Sequence, residues 1–303
     1  MNSIMMKSKR SLKSSVKLAL KTLLPLILLL SACNSSVPPS FVKEGITQAV
    51  KDICKKEYKL DISSRLIGKT LWVYLPLENI ISKPDKPEKY LERFLLEDKK
   101  NSLQEKILKV NYSVRPTTEK EKSQEMGLDK SVNEKIFDVL QVIRRVLFSM
   151  GNPNKDVPEF FCIITADIRN GFEIKQVFYF LDLKKLSYSF ISQTEYQHRI
   201  IQDTAISAEI IGDREGNHIN YQDITLEEFL ADQIQSRIKM KFQKPEVGAN
   251  VDIDKEVLKI VVYTLEAYNF KDFNLLELSN LATGKDVTLN QAAIFSDSSE
   301  KKK

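Results

Sequence analysis

Residues 159–181 read EFFCIITADIRNGFEIKQVFYFL, two apolar runs separated by Asn170-Gly171. Both residues of this dipeptide tolerate positive φ, and between apolar runs it is the strongest short-range signal of a β-hairpin. A two-residue turn pairs Arg169 with Phe172, so the numbers of paired residues sum to 341. One face of the hairpin then carries Phe161, Ile163, Ile174, Phe178 and Phe180, and the other carries Cys162, Ile164, Val177, Tyr179 and Leu181. Because both faces are apolar, we expect a central hairpin that is covered on both sides.

Amphipathic helices are predicted before and after this hairpin, from apolar residues that recur three and four positions apart. Thr225 and Glu228 match a capping box, which marks the start of one of these helices. Four helices are predicted. One begins at Ser40, one contains Ile136 and ends at Gly151, one extends from Thr225 to Phe242, and one covers residues 254–268.

Shorter stretches predict the remaining elements. Residues 66–77 and 108–115 are typical of strands, residues 90–96 of a helix, residues 116–130 of a flexible loop, and residues 207–211 and 218–221 of a second hairpin. Residues 273–281 fit a strand or a helix.

Helices and hairpins follow one another without a regular strand–helix alternation, which indicates an α+β fold with antiparallel sheet elements, the central hairpin and packed amphipathic helices. The predicted organisation is an N-terminal segment (1–32), a short tether (33–40), an α+β domain (41–190), a second α+β region (191–295) and a disordered tail (296–303). The sequence leaves open whether residues 41–190 and 191–295 form one domain or two.

The composition excludes some function classes. The chain has 303 residues and a formal net charge of +5, but residues 1–33 hold six basic side chains and no acidic one. Without them, 40 basic side chains face 41 acidic ones, so global charge does not indicate a nucleic-acid partner. Only 9 glycines are present, too few for an architecture built on glycine-rich repeats or phosphate loops.

The first 33 residues have three parts. Residues 1–21 carry all six basic side chains, residues 23–30 read LLPLILLL, and Ser31-Ala32-Cys33 follows. As a helix, eight apolar residues span about 12 Å of a hydrocarbon core that is roughly 30 Å thick, too little for a stable membrane span. These parts in this order are typical of a secretory signal peptide.

Leu30-Ser31-Ala32-Cys33 resembles the lipobox of bacterial lipoprotein precursors, a resemblance that covers residues 1–33 only. It implies recognition of Leu30, Ser31 and Ala32, cleavage before Cys33, and a diacylglycerol thioether on Cys33. Residues 1–32 are then the signal peptide and residues 33–40 the lipidated tether. It also implies an acyl chain such as palmitate on the new amino group. Two or three acyl chains anchor a protein durably, so the expected partner is the lipid bilayer.

The lipobox also implies a location in the cell envelope, on the non-cytoplasmic side of a membrane. Asn34, and not an aspartate, follows the cysteine. In enterobacterial lipoproteins this implies sorting to the outer membrane, and therefore its periplasmic face if the source is Gram-negative.

The residues able to carry chemistry are few and scattered. Gly68-Lys69-Thr70 is similar to the end of a phosphate-binding P-loop, but Ser63 occupies the position of its first glycine. His198 and His218 have no second histidine at a metal-binding spacing. We expect His218 in an ordinary hairpin turn and His198 at a surface position.

Asp167 and Asp182 border apolar strands, where burial raises a carboxyl pKa. The expected role of both is structural, with catalysis as the less favoured alternative. No catalytic, cofactor-binding or metal-binding residue is assigned, and no cofactor is implied.

The two cysteines beyond the lipobox are Cys54 and Cys162. An exported protein can keep a disulfide between them. However, each continues an apolar stretch, where free cysteine behaves as a small hydrophobic residue. We therefore expect two separate buried thiols.

Two functions fit these observations best. The first is a membrane-anchored envelope lipoprotein with a non-catalytic binding, scaffolding or assembly role and an unidentified protein partner. The second is a lipid-anchored hydrolase that acts on envelope polymers through unmarked catalytic carboxylates. A third, an anchored small-ligand binder, is disfavoured because the two-lobed α/β pattern of solute-binding proteins is not evident in the sequence. A deep cleft with close carboxylates would favour the hydrolase, and an apolar surface patch would favour the binding protein.

Overall fold

The computed structural model describes residues 45–97, 99–124, 126–150, 157–244 and 246–299. These residues belong to one compact unit. Seven α-helices and twelve strands follow one another irregularly within them, which confirms the α+β fold class. The predicted signal peptide and lipidated tether lie outside the described residues.

The α-helices form where the apolar periodicity predicts them, with three additional short ones. Asp129 and Thr225 accept hydrogen bonds from the first turns of two helices, and the predicted Thr225–Glu228 capping box is confirmed. None of the helices in the described ranges has both the length and the apolar character needed to cross a membrane. The helices are α1 (Ile46–Ile53), α2 (Lys130–Phe148), α3 (Phe180–Ser187), α4 (Gln193–Gln197), α5 (Leu226–Phe242), α6 (Ile253–Ala267) and α7 (Gln291–Ser299).

The strands form two five-stranded sheets and one short pair. They are β1 (Ser63–Ile67), β2 (Thr70–Leu77), β3 (Ile81–Ser82), β4 (Glu88–Glu97), β5 (Ser102–Gln104), β6 (Ile107–Gln124), β7 (Gly127–Leu128), β8 (Phe160–Asp167), β9 (Phe172–Tyr179), β10 (Ile201–Ile206), β11 (Leu275–Asn280) and β12 (Lys285–Asn290). The first sheet has the order β1-β2-β8-β9-β10, and the second has the order β12-β11-β6-β4 with β5 also paired to β6. The short pair is β3 with β7.

The predicted hairpin at 159–181 forms the centre of the first sheet, and every residue of β8 is buried. Helices α1 and α2 cover the face that carries Phe161, and the other face packs against α5 and the segment before it. The prediction of apolar cover on both faces is confirmed. Leu181, the last residue of the predicted strand, is half-exposed on α3 instead.

The predicted register of this hairpin is wrong by two. Asp167 pairs with Phe172, and Phe161 pairs with Phe178, so the sum is 339 and the loop has four residues. The Asp167 carboxylate accepts hydrogen bonds from the backbone N–H groups of Arg169 and Asn170, which favours the longer loop over the two-residue turn. A shift of two preserves the side-chain alternation, so the predicted faces remain correct.

The predicted single strand at 66–77 is a hairpin of β1 and β2. Gly68 adopts φ of +56° and, with Lys69, forms the two-residue turn between Ile67 and Thr70. Glycine adopts this left-handed conformation without steric cost, which explains why the strand reverses there.

The second sheet contains two wrong predictions. Residues 90–96 are strand and not helix, and residues 116–124 extend β6 and are not a loop. Residues 88–92 pair with 120–124 as an exposed two-stranded ribbon. Oppositely charged side chains pair across it, including Lys122 with Glu92 at 2.5 Å. These cross-strand pairs stabilise strands that bury almost no apolar surface.

The predicted second hairpin at 207–221 is also wrong. Ala208–Ile210 is a 3₁₀ turn, and residues 212–225 contain neither helix nor strand. Residues 273–281, which fitted either element, contain strand β11. Residues 296–299 of the predicted tail are the end of α7.

Helix α5 packs against both sheets. Phe229 contacts the apolar cluster of the first sheet that contains Trp72 and Phe160. One residue further on, Leu230 belongs to the cluster that lies between α5, α6 and the second sheet. The two sheets are therefore joined through a shared helix with apolar residues on both sides.

Candidate functional site

Leu30, Ser31, Ala32 and Cys33 lie outside the described residues. Lipidation of Cys33 therefore stays a prediction from the sequence. The structure does place the other candidate side chains, and it brings only some of them near one another.

Gly68-Lys69-Thr70 holds a carboxylate and not a phosphate. The Asp223 carboxylate accepts hydrogen bonds from the backbone N–H of Lys69 and the hydroxyl of Thr70, both at 2.9 Å. The Thr70 hydroxyl in turn accepts from the N–H of Ile224 at 2.8 Å. This turn therefore fixes the segment that leads into α5.

Asp167 is fully buried at the end of β8, as its position predicts. Burial alone would raise its pKa, but hydrogen bonds from the Asn170 side chain and from the N–H groups of Ile80, Asn170 and Arg169 outweigh burial, and its pKa is lowered. The expected raised pKa is therefore wrong, because the loop solvates the carboxylate. The Asp167 carboxylate therefore stabilises two loops, the one at Ile80 and the one between β8 and β9.

Asp182 is buried in α3, and it connects the two sheets. It accepts a hydrogen bond from Nη1 of Arg199 at 2.7 Å and from the Tyr268 hydroxyl at 2.8 Å. Burial disfavours the charge of Arg199, but the hydrogen bonds to Glu195 and Asp182 raise its pKa above the ordinary value. Tyr268 ends α6, which packs on the second sheet. The arrangement is a structural ion pair.

His218 links an irregular segment to the first sheet. Its Nδ1 lies 2.6 Å from a carboxylate oxygen of Asp213, and its Nε2 lies 2.9 Å from one of Glu173 on β9. Burial lowers the pKa of His218, but these two carboxylates raise it overall. Burial likewise opposes the charge of Asp213, yet hydrogen bonds from the His218 ring and nearby N–H groups lower its pKa to about 2.

The expected hairpin turn at His218 is thus replaced by an ionic clamp that involves both imidazole nitrogens. The carboxylates lie on opposite sides of the ring. Nowhere in the described ranges is a group of three or more His, Cys, Asp or Glu side chains arranged to hold a metal ion. His198, the other histidine, is half-buried after α4 and lines a cleft between α5 and α6.

Cys54 and Cys162 are separate buried thiols, as predicted. They belong to the apolar clusters on opposite faces of the first sheet, so the sheet lies between them. Burial raises the pKa of each thiol to about 12. A thiol with such a pKa is a poor nucleophile near neutral pH.

An exposed apolar patch, not predicted from the sequence, lies along α3 and the turn that follows it. It consists of Leu181, Tyr188 and Phe190, which are 44%, 65% and 77% exposed. Leu181 and Tyr188 are seven residues apart and share a helix face. The Tyr188 and Phe190 rings are 6.4 Å apart. We refer to these three residues as the aromatic patch.

The backbone holds the aromatic patch in a defined conformation. The N–H of Phe190 donates to the carbonyl of Lys185 at 2.8 Å, and the N–H of Ser189 donates to that of Leu186 at 2.9 Å. This is the Schellman motif that ends many helices, in which the left-handed residue is commonly glycine. Here Ser189 takes that position with φ of +60°. The turn therefore presents two aromatic rings to solvent from a strained, hydrogen-bonded backbone.

Comparisons with protein-family models, with curated proteins and with solved structures find no match to this chain.

Proposed function

We propose that this chain is a bacterial envelope lipoprotein, anchored in the lipid bilayer through acylated Cys33, that binds a protein partner and does not act as a catalyst. The lipobox-like sequence Leu30-Ser31-Ala32-Cys33 supports the anchor and the location outside the cytoplasm. The hydrolase alternative stays a prediction, and the most buried carboxylates, Asp167 and Asp182, already have structural partners.

The aromatic patch is the observation that carries the binding role. Aromatic side chains are enriched at protein interfaces and among the residues that dominate binding energy. Backbone strain that is maintained by surrounding hydrogen bonds occurs preferentially at functional sites. The Ser189 turn meets this description and fixes the backbone from which both rings project, which reduces the backbone entropy lost on binding.

Site-specific photocrosslinking in cells tests this role. We would replace Phe190 of the full-length chain with the photoreactive residue benzoylphenylalanine and, in a control, replace Ile206 in the same way. Ile206 is also exposed, but it pairs with Phe172, at the end of β9 that is distant from α3.

We expect a discrete protein adduct from position 190, none from position 206, and loss of the adduct when Tyr188→Ser is added. Equal adducts at both positions, or no adduct at position 190, would contradict the proposal. An adduct of position 190 with lipid alone would also contradict it, because the patch would then face the bilayer.

A further inference from the structure

A basic cleft lies between α5 and α6. Its volume is about 270 Å³. Four basic side chains line it, but only one acidic side chain does. These residues are Arg237, Lys241, Lys244, Lys259 and Glu256. The chain after residue 33 is nearly neutral overall, so this concentration of positive charge is local.

The acidic residues near the cleft are each shared by two basic ones. Glu256 accepts hydrogen bonds from Lys241 at 2.9 Å and from Lys259 at 2.5 Å. Glu195, behind the cleft, accepts from Arg199 at 2.7 Å and from Arg237 at 3.1 Å. Lys244 is exposed and forms no ion pair with the described residues. The cleft therefore keeps an excess of positive charge.

Arg237 is the innermost of these basic residues, with a side chain that is only 10% exposed. Its guanidinium lies 5.0 Å from the centre of the Tyr263 ring, and its Nη2 donates to the Glu195 carboxylate. Arg237 lines the cleft with the part of its side chain that remains exposed, and a guanidinium in this position is suited to a ligand oxygen.

The size and walls of the cleft limit the ligand. Sites for drug-sized molecules usually exceed about 300 Å³, so this cleft fits a smaller molecule. A planar guanidinium with ammonium groups around it suits an oxyanion with several acceptor oxygens. Met240 and Ile260 add an apolar wall beside the charges, which suits a short carbon substituent.

A larger cleft of about 630 Å³ beside β1 differs in charge. Lys51, Lys55, Arg65 and Arg214 line it together with Asp52, Asp61 and Glu215. Because both signs are present in nearly equal number, this second cleft does not select an anion. Of these two clefts, the one at Arg237 has the clear excess of basic side chains.

We propose that the basic cleft binds the phosphate group of a small phosphate monoester, with Arg237 at its base and Lys244 and Lys259 at its rim. The same phosphate chemistry occurs in free metabolites and in lipid headgroups. The small volume of the cleft and its apolar wall at Met240 favour a small soluble ester over a lipid headgroup.

Isothermal titration calorimetry of the protein as purified from cells in detergent tests this site, with glycerol 3-phosphate as the probe. We expect a Kd of about 1 mM or tighter at low ionic strength, and weaker binding as salt increases. Arg237→Gln should weaken binding by about tenfold or more, and Lys244→Ala by about threefold. Lys255→Ala removes an exposed lysine of α6 outside the cleft and is the matched control.

Lys244→Ala keeps the test valid if Arg237→Gln fails to fold, because Lys244 makes no ion pair in the described structure. Absence of binding at about 10 mM probe would overturn the proposal. The same holds if Lys255→Ala weakens binding as much as Lys244→Ala does. Binding to vesicles that contain phosphatidic acid, without binding of glycerol 3-phosphate, would overturn the assignment to a small ester.

Discussion

The two sheets of this protein differ in how completely they are covered. The central strand β8 of the first sheet is buried along its whole length. The long strand β6 of the second sheet is buried at alternating positions up to Tyr112, is also buried at Ser113 and Val114, and then continues as an exposed ribbon with β4. Strands with two apolar faces have a distinctive composition, whereas an exposed ribbon is stabilised by cross-strand pairs that a linear sequence does not display.

The largest expected difference concerns apolar truncation. Phe161 is fully buried and stacks on Phe178 with ring centres 4.7 Å apart, whereas Leu91 lies on the exposed ribbon. Phe161→Ala should lower the free energy of unfolding by about 3–5 kcal/mol. Leu91→Ala should change it by less than about 0.5 kcal/mol. Urea denaturation measures both, and similar values for the two variants would contradict the contrast between the sheets.

A smaller effect is expected at the connection between the sheets. Tyr268→Phe removes the hydrogen bond to the buried Asp182 carboxylate and should destabilise the fold by about 1.5–3 kcal/mol. Tyr188→Phe removes an exposed hydroxyl and should have no measurable effect. Thermal unfolding compares the two. Equal midpoints would mean that the Asp182–Tyr268 bond does not contribute to stability.

The smallest effect is a pH dependence confined to the first sheet, where His218 contacts Glu173. The pKa of His218 is raised above its ordinary value of 6.5, so its stabilising effect is complete below that value and is lost as pH rises through the folded pKa. The pKa of Asp213 is lowered from 3.8 to about 2, so its effect is complete above 3.8 and is lost as pH falls toward 2. The clamp is therefore strongest between these two ordinary values.

Hydrogen exchange resolved by segment checks this prediction, once rates are corrected for intrinsic pH dependence. Protection of residues 213–218 should decrease from about pH 6 to about pH 8, and protection of β11 in the second sheet should not. His218→Gln should remove the difference between the two pH values. A decrease that persists in this variant would assign the pH dependence to another group.

The sequence predicted the two central strands of the first sheet, β8 and β9, because the alternation in 159–181 identifies both faces whatever the register. It did not predict β10, and it did not separate β1 from β2. It did not predict the four-residue loop, since this depends on the Asp167 side chain bonding to its own loop. It also predicted the Thr225–Glu228 capping box, a signal confined to four residues. The ribbon at 88–92 and 120–124 was missed because its two strands are stabilised by each other's charges.

The candidate sites were harder to predict than the fold. Asp167, Asp182 and His218 are ordinary polar residues in the sequence, and their structural roles depend on partners that are distant along the chain. The aromatic patch left a weak signal in Ser187-Tyr188-Ser189-Phe190, where polar and aromatic residues alternate after a helix. This signal was insufficient, because exposure of the rings depends on the left-handed conformation of Ser189.

Metabolic labelling with a clickable fatty acid tests the proposed lipid anchor at Cys33 most directly. We expect the wild-type chain to be labelled and cleaved, and Cys33→Ala to be unlabelled and to accumulate as a precursor that retains residues 1–32. Cys54→Ala is the matched control and should be labelled like the wild type, because Cys54 is buried. Labelling that is unchanged in Cys33→Ala, or absent from the wild type, would contradict the lipoprotein assignment.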